Sequence, residues 1–263
     1  MIRRASFAAL LVAVVALAAP SVAAADALDA VRHDALKDSV VLNTLWVVIA
    51  AALVLFMQTG FAMLEIGFSR AKNAGAGVAK ILTNLSIAAV CYWAVGFALA
   101  FGNGSLVGHT GFFLREFGDP QHAFGAMAAS DATIHAKWLF QFSFCAVSLA
   151  IVWGTTLERI RYGTYVVFAV VFASVIYPVT SHWVFGGGWL QRSVGMQDFA
   201  GSTGVHLIGA TGAFAALLLL GPRKGKYDSA GKPRAIPGHN MPLFGLGVLI
   251  LWLGWFGFNP GST

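Results

Sequence analysis

Asp198-Phe199-Ala200-Gly201-Ser202-Thr203-Gly204-Val205-His206-Leu207-Ile208-Gly209-Ala210 continues from Thr211 to Leu220 as a run of small and aliphatic residues. It stops at Gly221-Pro222-Arg223-Lys224. A helix rising about 1.5 Å per residue needs about 20 such residues to cross the hydrocarbon of a bilayer. This stretch therefore reads as a membrane span, with Asp198 at its head and His206 about two turns inside. Ionisable side chains at membrane depth are costly. They face a protein interior or a water path, and they mark ion or proton routes.

The rest of the chain has the same character. Of 263 residues, 58% are hydrophobic and 11% charged, with a mean hydropathy of +0.74. A soluble domain carries about 25% charged residues. Runs long enough to cross a bilayer fall at 42–68, 79–102, 137–157, 162–188, 201–221 and 241–258. The fold class is an all-α membrane protein, a polytopic helical bundle. The net charge of +6 lies in the connectors and forms no basic face interleaved with aromatics, so a nucleic acid is not an expected partner. Cys91 and Cys145 sit inside apolar runs and read as buried thiols, with no disulfide framework implied.

Met1 to Ala25 has the layout of a secretory signal: Arg3 and Arg4, an apolar core from Ala8 to Ala19, then Ala23-Ala24-Ala25 at the cleavage position. An uncleaved first helix is the alternative. Residues 26–41 then form an extracytoplasmic N-terminal segment, and 42–263 the membrane domain. Charge orients the spans. The connectors after spans one, three and five hold Arg70, Lys72 and Lys80; Arg159 and Arg161; and Arg223, Lys224, Lys226, Lys232 and Arg234. The opposite side holds Arg32, Lys37, Arg115, Lys137 and Arg192. The richer set belongs in the cytoplasm. Both the N-terminus and Thr263 are then expected outside. His109, His122 and His135 in the long outer connector match no metal-ligand spacing and read as solvated loop histidines. No metal or cofactor is implied, and no nucleophile–base pair marks an enzyme.

His206 lies among Gly201, Ser202, Gly204, Gly209 and Ala210. Small residues permit close helix packing, and they also leave room for a narrow lumen. His206 is thus either a packing histidine or a pore-lining one. Asp198 opens its helix, where a carboxylate caps free N–H groups, and this anchoring reading is favoured over a cation site in an outer vestibule. Aromatics crowd the span ends at Phe140, Phe142 and Phe144; at Trp183, Phe185 and Trp189 around Gly186-Gly187-Gly188; and at Trp255, Phe256 and Phe258. Most suit an interfacial belt, and a few suit a cage for a small cation.

The stretch from Asp198 to Arg223 resembles the signature of the ammonium transporter (Amt) family, related to the Rhesus proteins. Gly67-Phe68-Ser69-Arg70-Ala71-Lys72-Asn73, Glu158-Arg159-Ile160-Arg161-Tyr162 and Gly254-Trp255-Phe256-Gly257-Phe258-Asn259-Pro260-Gly261-Ser262 add matches in family order. The resemblance covers about Leu42 to Thr263. It implies that Phe144 is a gate phenylalanine and a wall of the external ammonium site. Phe258 is the second gate ring, and the Ser262 hydroxyl accepts from bound ammonium. His206 is the first of two pore histidines, and Asp198 shapes the outer site from within. It also implies a homotrimer in the cell membrane and docking of PII-type regulatory proteins at the cytoplasmic face.

Three departures stand out. Phe185 occupies the position of a customary tryptophan wall and is expected to bind substrate there with Phe144 and Ser262; its weaker π-face implies either weaker recruitment or substitution by Trp183 or Trp189. The stretch from the glycine triplet to Asp198 is one residue longer than usual. Only six of the family's eleven spans are present, which implies truncation after the sixth span and loss of the second pore histidine. The resemblance implies ammonium/ammonia transport. An ammonium sensor module fused to a signalling domain is the alternative, and an apolar gas or amine channel a third.

Overall fold

The computed structural model describes residues 22–115, 120–128 and 130–262, so the signal reading of residues 1–25 lies almost wholly outside the described residues. The chain divides into two compact units, Met1–Leu42 and Asn43–Thr263. Helix α1 runs Val22–Phe68. No glycine or proline interrupts Val22 to Thr59, so nothing in the sequence stops the helix before span one. In the first unit Leu28, Val31 and Leu36 are exposed, and Lys37 lies 3.8 Å from Asp34.

Six helical segments are long and apolar enough to cross a membrane: Asp26–Phe68, Ala71–Phe101, Ile134–Thr155, Tyr162–Ser193, Ser202–Leu220 and Met241–Ser262. Their main helices after α1 are α2 (Ala74–Cys91), α3 (Phe97–Phe101), α4 (Ile134–Thr155), α5 (Tyr162–Val171), α6 (Tyr177–Val184), α7 (Trp189–Ser193), α8 (Ile208–Leu220) and α9 (Met241–Phe258). Wide π turns at Tyr92–Gly96 and Phe172–Ile176 join α2 to α3 and α5 to α6, and a third at Ser202–Leu207 leads into α8. No strand occurs among the described residues, only an isolated bridge between Tyr227 and Pro233.

Span two begins at Ala71, eight residues before the boundary read from the sequence, and Lys80 lies inside it rather than in a connector. Lys80 is only 4% exposed. Its amine donates to the Ile160 carbonyl at 3.2 Å and sits 4.3 Å over the Trp153 ring, so its charge does not interrupt the span. Span four does not end at Gly188. The helix breaks at Phe185-Gly186-Gly187-Gly188 and resumes as α7.

Helix α4 is the most buried span and packs against α2 and α8. Helix α9 closes on the C-terminal part of α1 through small residues. Gly60 faces Gly247 and Leu251, Gly254 lies on Met57, and Gly257 lies on Leu53. Helix pairs without a hydrophobic driving force depend on such close approach.

At the end of the bundle opposite Ser262, one carboxylate ties three connectors. The Glu158 side chain is shielded from solvent. It accepts from Arg70 N at 2.9 Å, Arg70 Nε at 3.0 Å, Asn73 Nδ2 at 2.6 Å and Arg223 Nη1 at 3.2 Å. Arg159 donates to Gly221 O at 2.8 Å and to Thr155 O. Desolvation opposes the charged form of Glu158. The donated hydrogen bonds and the Arg70 charge outweigh it and hold the carboxyl at about 2.

Candidate functional site

The site begins with the Asp198 carboxylate. Oδ1 accepts from Gly201 N at 2.8 Å, Ser202 N at 3.0 Å and Ser202 Oγ at 3.2 Å. Oδ2 accepts from Thr203 N at 2.8 Å and Gly204 N at 2.7 Å. These are the N–H groups that a helix start leaves without intrahelical partners. Gly201 turns the chain into them at φ 98, a left-handed conformation that suits glycine. Burial pushes the Asp198 carboxyl up, but the four backbone N–H groups prevail and hold it below its ordinary value. Both oxygens are spent on the chain itself, in the geometry of an anchor.

The turn that Asp198 fastens also places His206. Gly201 O accepts from His206 N at 3.0 Å and lies 3.1 Å from His206 Nδ1. A carbonyl oxygen only accepts, so Nδ1 carries a proton, and in the neutral ring Nε2 is then the free acceptor. The ring stacks toward Trp255 at 6.4 Å and meets Phe258 edge-on at 5.3 Å. Phe258 in turn lies flat on Phe144, with centroids 4.0 Å apart and planes 7° from parallel. Each of these two rings is 1% exposed. One residue from α4 and one from α9 thus form a closed aromatic pair, with His206 against its α9 member.

On the other side of the pair a cleft of about 280 Å³ holds Phe144, Phe185 and Ser262 together, with Phe140, Gln141, Phe199 and Lys137 in the same lining. Ser262 Oγ donates to Phe258 O at 2.8 Å, which leaves its lone pairs to accept. Gln141 Oε1 is buried without a protein donor. The Phe185 ring reaches the cleft because residue 204 is glycine: a Cβ there would overlap the ring. The tryptophans expected to replace the missing wall are used elsewhere. Trp183 Nε1 donates to Leu106 O at 2.8 Å, and the Trp183 and Trp189 rings pack on each other at 6.0 Å. Neither lines this cleft. A larger apolar groove between spans four and five, about 670 Å³ and lined by Phe168, Phe172 and Leu207, lies apart from these groups.

Lys137, Phe140, Gln141 and Phe144 are spaced i, i+3, i+4 and i+7 on α4 and occupy one face of it. Extending helical periodicity backward from Phe144 identifies the first three; composition alone puts Phe140 in the belt and Lys137 among the connector charges, and gives no signal for Gln141.

These features define a polytopic α-helical membrane protein with an aromatic cleft, a stacked phenylalanine pair and a histidine in series. The model of the Ammonium Transporter Family matches residues 45–263, and the chain belongs to that family. Ammonium transporter Amt2 of Archaeoglobus fulgidus is 45% identical over 229 residues, covering 83% of this chain and 47% of that protein. Ammonium transporter 3 of Dictyostelium discoideum is 38% identical over 228 residues, covering 84% and 49%. Among solved structures, a sensor Amt protein superposes with a TM-score of 0.78 at 35% identity, covering 86% of this chain and 56% of that one. Candida albicans Mep2 superposes at 0.74 and 31% identity, covering 87% and 50%. The chain spans about half the length of the curated relatives it matches.

Proposed function

We propose that the protein moves ammonium or ammonia across the cell membrane, with its N-terminus and the Ser262 end outside. The cleft of Phe144, Phe185 and Ser262 is the recruitment site, and Asp198 shapes its floor without touching the cation. Ring faces attract a cation, and the Ser262 and Gln141 oxygens accept its N–H groups. Carrying the charge onward is costly, because desolvating an ion in a low-dielectric interior costs several kcal/mol. At the Phe144–Phe258 pair ammonium gives its proton to the Nε2 lone pair of His206, which removes that cost. Ammonia passes on as a neutral molecule and the histidine releases the proton inward, so one charge crosses with each ammonia. Potassium has neither N–H donors nor a removable proton, which sets selectivity against it. A homotrimer in the bilayer and PII-type docking at the basic face complete the reading. The basic connector from Arg223 to Arg234 supports the docking surface.

The observation that carries this reading is the series of cleft, stacked pair and histidine on three different spans. The test is ammonium-induced current from the full-length protein in planar membranes or liposomes. His206→Ala is expected to abolish or sharply alter the current; an unchanged current refutes the assignment. A second reading, ammonium sensing, draws on the likeness to the sensor Amt protein. Under that reading ammonium binds without net transport, so binding with no current in liposomes favours it.

A further inference from the structure

We propose that Lys137 is a tethered ammonium group that limits how strongly the outer cleft recruits cations. The inference rests on the recruitment reading given above and adds to it the residue that sets affinity. Lys137 lines the same cleft as Phe144, Phe185 and Ser262. It lies two turns before Phe144 on the same face of α4. Its Nζ donates to Met127 O at 2.5 Å and to Ser130 O at 2.6 Å.

A lysine head group offers N–H donors on a compact unit positive charge, as ammonium does. Two consequences follow from having one built into the wall. Carbonyl oxygens at the mouth that suit a free ammonium are already occupied by Lys137. The fixed charge also repels a second cation entering the cleft, over a distance at which a partly dry site screens poorly. Asp131 on the adjoining connector attracts the Lys137 amine and reduces the repulsion without removing the occupied carbonyls. With phenylalanine rather than tryptophan at 185, the cleft combines a weaker cation-attracting wall with a resident cation. It is therefore a low-affinity mouth, suited to abundant ammonium.

A structural alternative exists: Lys137 ties the 127–130 connector to α4 and does nothing else. Charge-retaining and charge-removing variants separate the two. In the full-length protein, ammonium-induced current is measured against ammonium concentration for wild type, Lys137→Arg, Lys137→Gln and Lys137→Met. Measurements are made at low salt and at about 0.5 M of an impermeant salt, and folding is checked by thermal unfolding in detergent. Removing the charge is expected to lower the half-saturating concentration about three- to ten-fold at low salt, and Lys137→Arg to stay close to wild type. The difference is expected to shrink only in part at high salt, because a half-buried charge is screened less than an exposed one. Lys137→Gln can still donate to the connector carbonyls, so it reports on charge even if Lys137→Met unfolds. A normal wild-type response with unchanged or raised half-saturation in folded Lys137→Gln overturns this inference alone. So does an equal shift in the Arg and Gln variants, which marks a structural tie. No ammonium response or binding in wild type overturns the recruitment reading and this inference together.

Discussion

Replacing Asp198 tests whether its carboxylate serves the chain or the cation. In Asp198→Ala, the backbone N–H groups of Gly201, Ser202, Thr203 and Gly204 lose their acceptor at once. Hydrogen bonds to a charged group contribute about 1.5–3 kcal/mol each, but four sharing one half-buried carboxylate do not add. Loss of a helix N-cap alone costs about 1–2 kcal/mol. A total near 3–5 kcal/mol is expected for Ala. Asp198→Asn keeps an acceptor at one oxygen and turns an NH2 toward Thr203 N and Gly204 N, for about 2 kcal/mol. Thermal unfolding of purified protein in detergent is the assay. At about 2–4 °C per kcal/mol for a chain of this size, Asn lowers the midpoint by about 4–8 °C and Ala by roughly twice that. Ammonium current is expected to fall in both, because the same turn positions His206 through Gly201 O. The pH dependence has a definite sign: a carboxyl held below its ordinary value stabilises fully at neutral pH, and the contribution is lost on acidification through the lowered value. An Asp198→Asn protein with an unchanged midpoint and no current refutes the anchor, since the carboxylate would then act on the cation itself.

Gly204→Ala drives a Cβ into the Phe185 ring, so it is expected to displace that wall and raise half-saturation for ammonium with little loss of fold, as read by titrating the current. Phe258→Leu removes the flat partner of Phe144 and one contact of His206; it is expected to cost about 1–2 kcal/mol in unfolding assays and to admit water or larger cations, measured as lost selectivity over methylammonium. The Glu158 clasp contributes about 3 kcal/mol at neutral pH from the gap between an ordinary 4.5 and about 2; that contribution is complete above about 4.5 and disappears as pH falls toward about 2, so Glu158→Gln is expected to flatten the acid limb of a stability–pH profile.

Periodicity and composition are local properties, and they account for what was legible early. Runs of about 20 apolar residues mark spans because a bilayer has a definite thickness, and span six at 241–258 shows how sharp the limits are when Asn240 and Asn259 bracket the run. The limits blur where a charge is absorbed by tertiary contacts. Lys80 reads as a connector residue until the Trp153 ring of span three and the Ile160 carbonyl just after that span are brought to it from far away in sequence. The anchoring role favoured for Asp198 also rests on local chemistry, since all five of its donors lie within six residues of it.

The amino-acid sequence by itself determined the solvent this protein lives in, the six spans between residues 42 and 258 and the residue types available for a small cation. Those follow from hydropathy, charge and motif, which need no partner. Only the tertiary structure decided which groups meet. It set Phe144 flat on Phe258 across α4 and α9, gave the cleft to Phe185 while using Trp183 on Leu106, and put the Lys137 amine in the mouth. Each of these depends on the rotation and closeness of helices distant in sequence, and the small residues that set that closeness act only through the neighbours they let in.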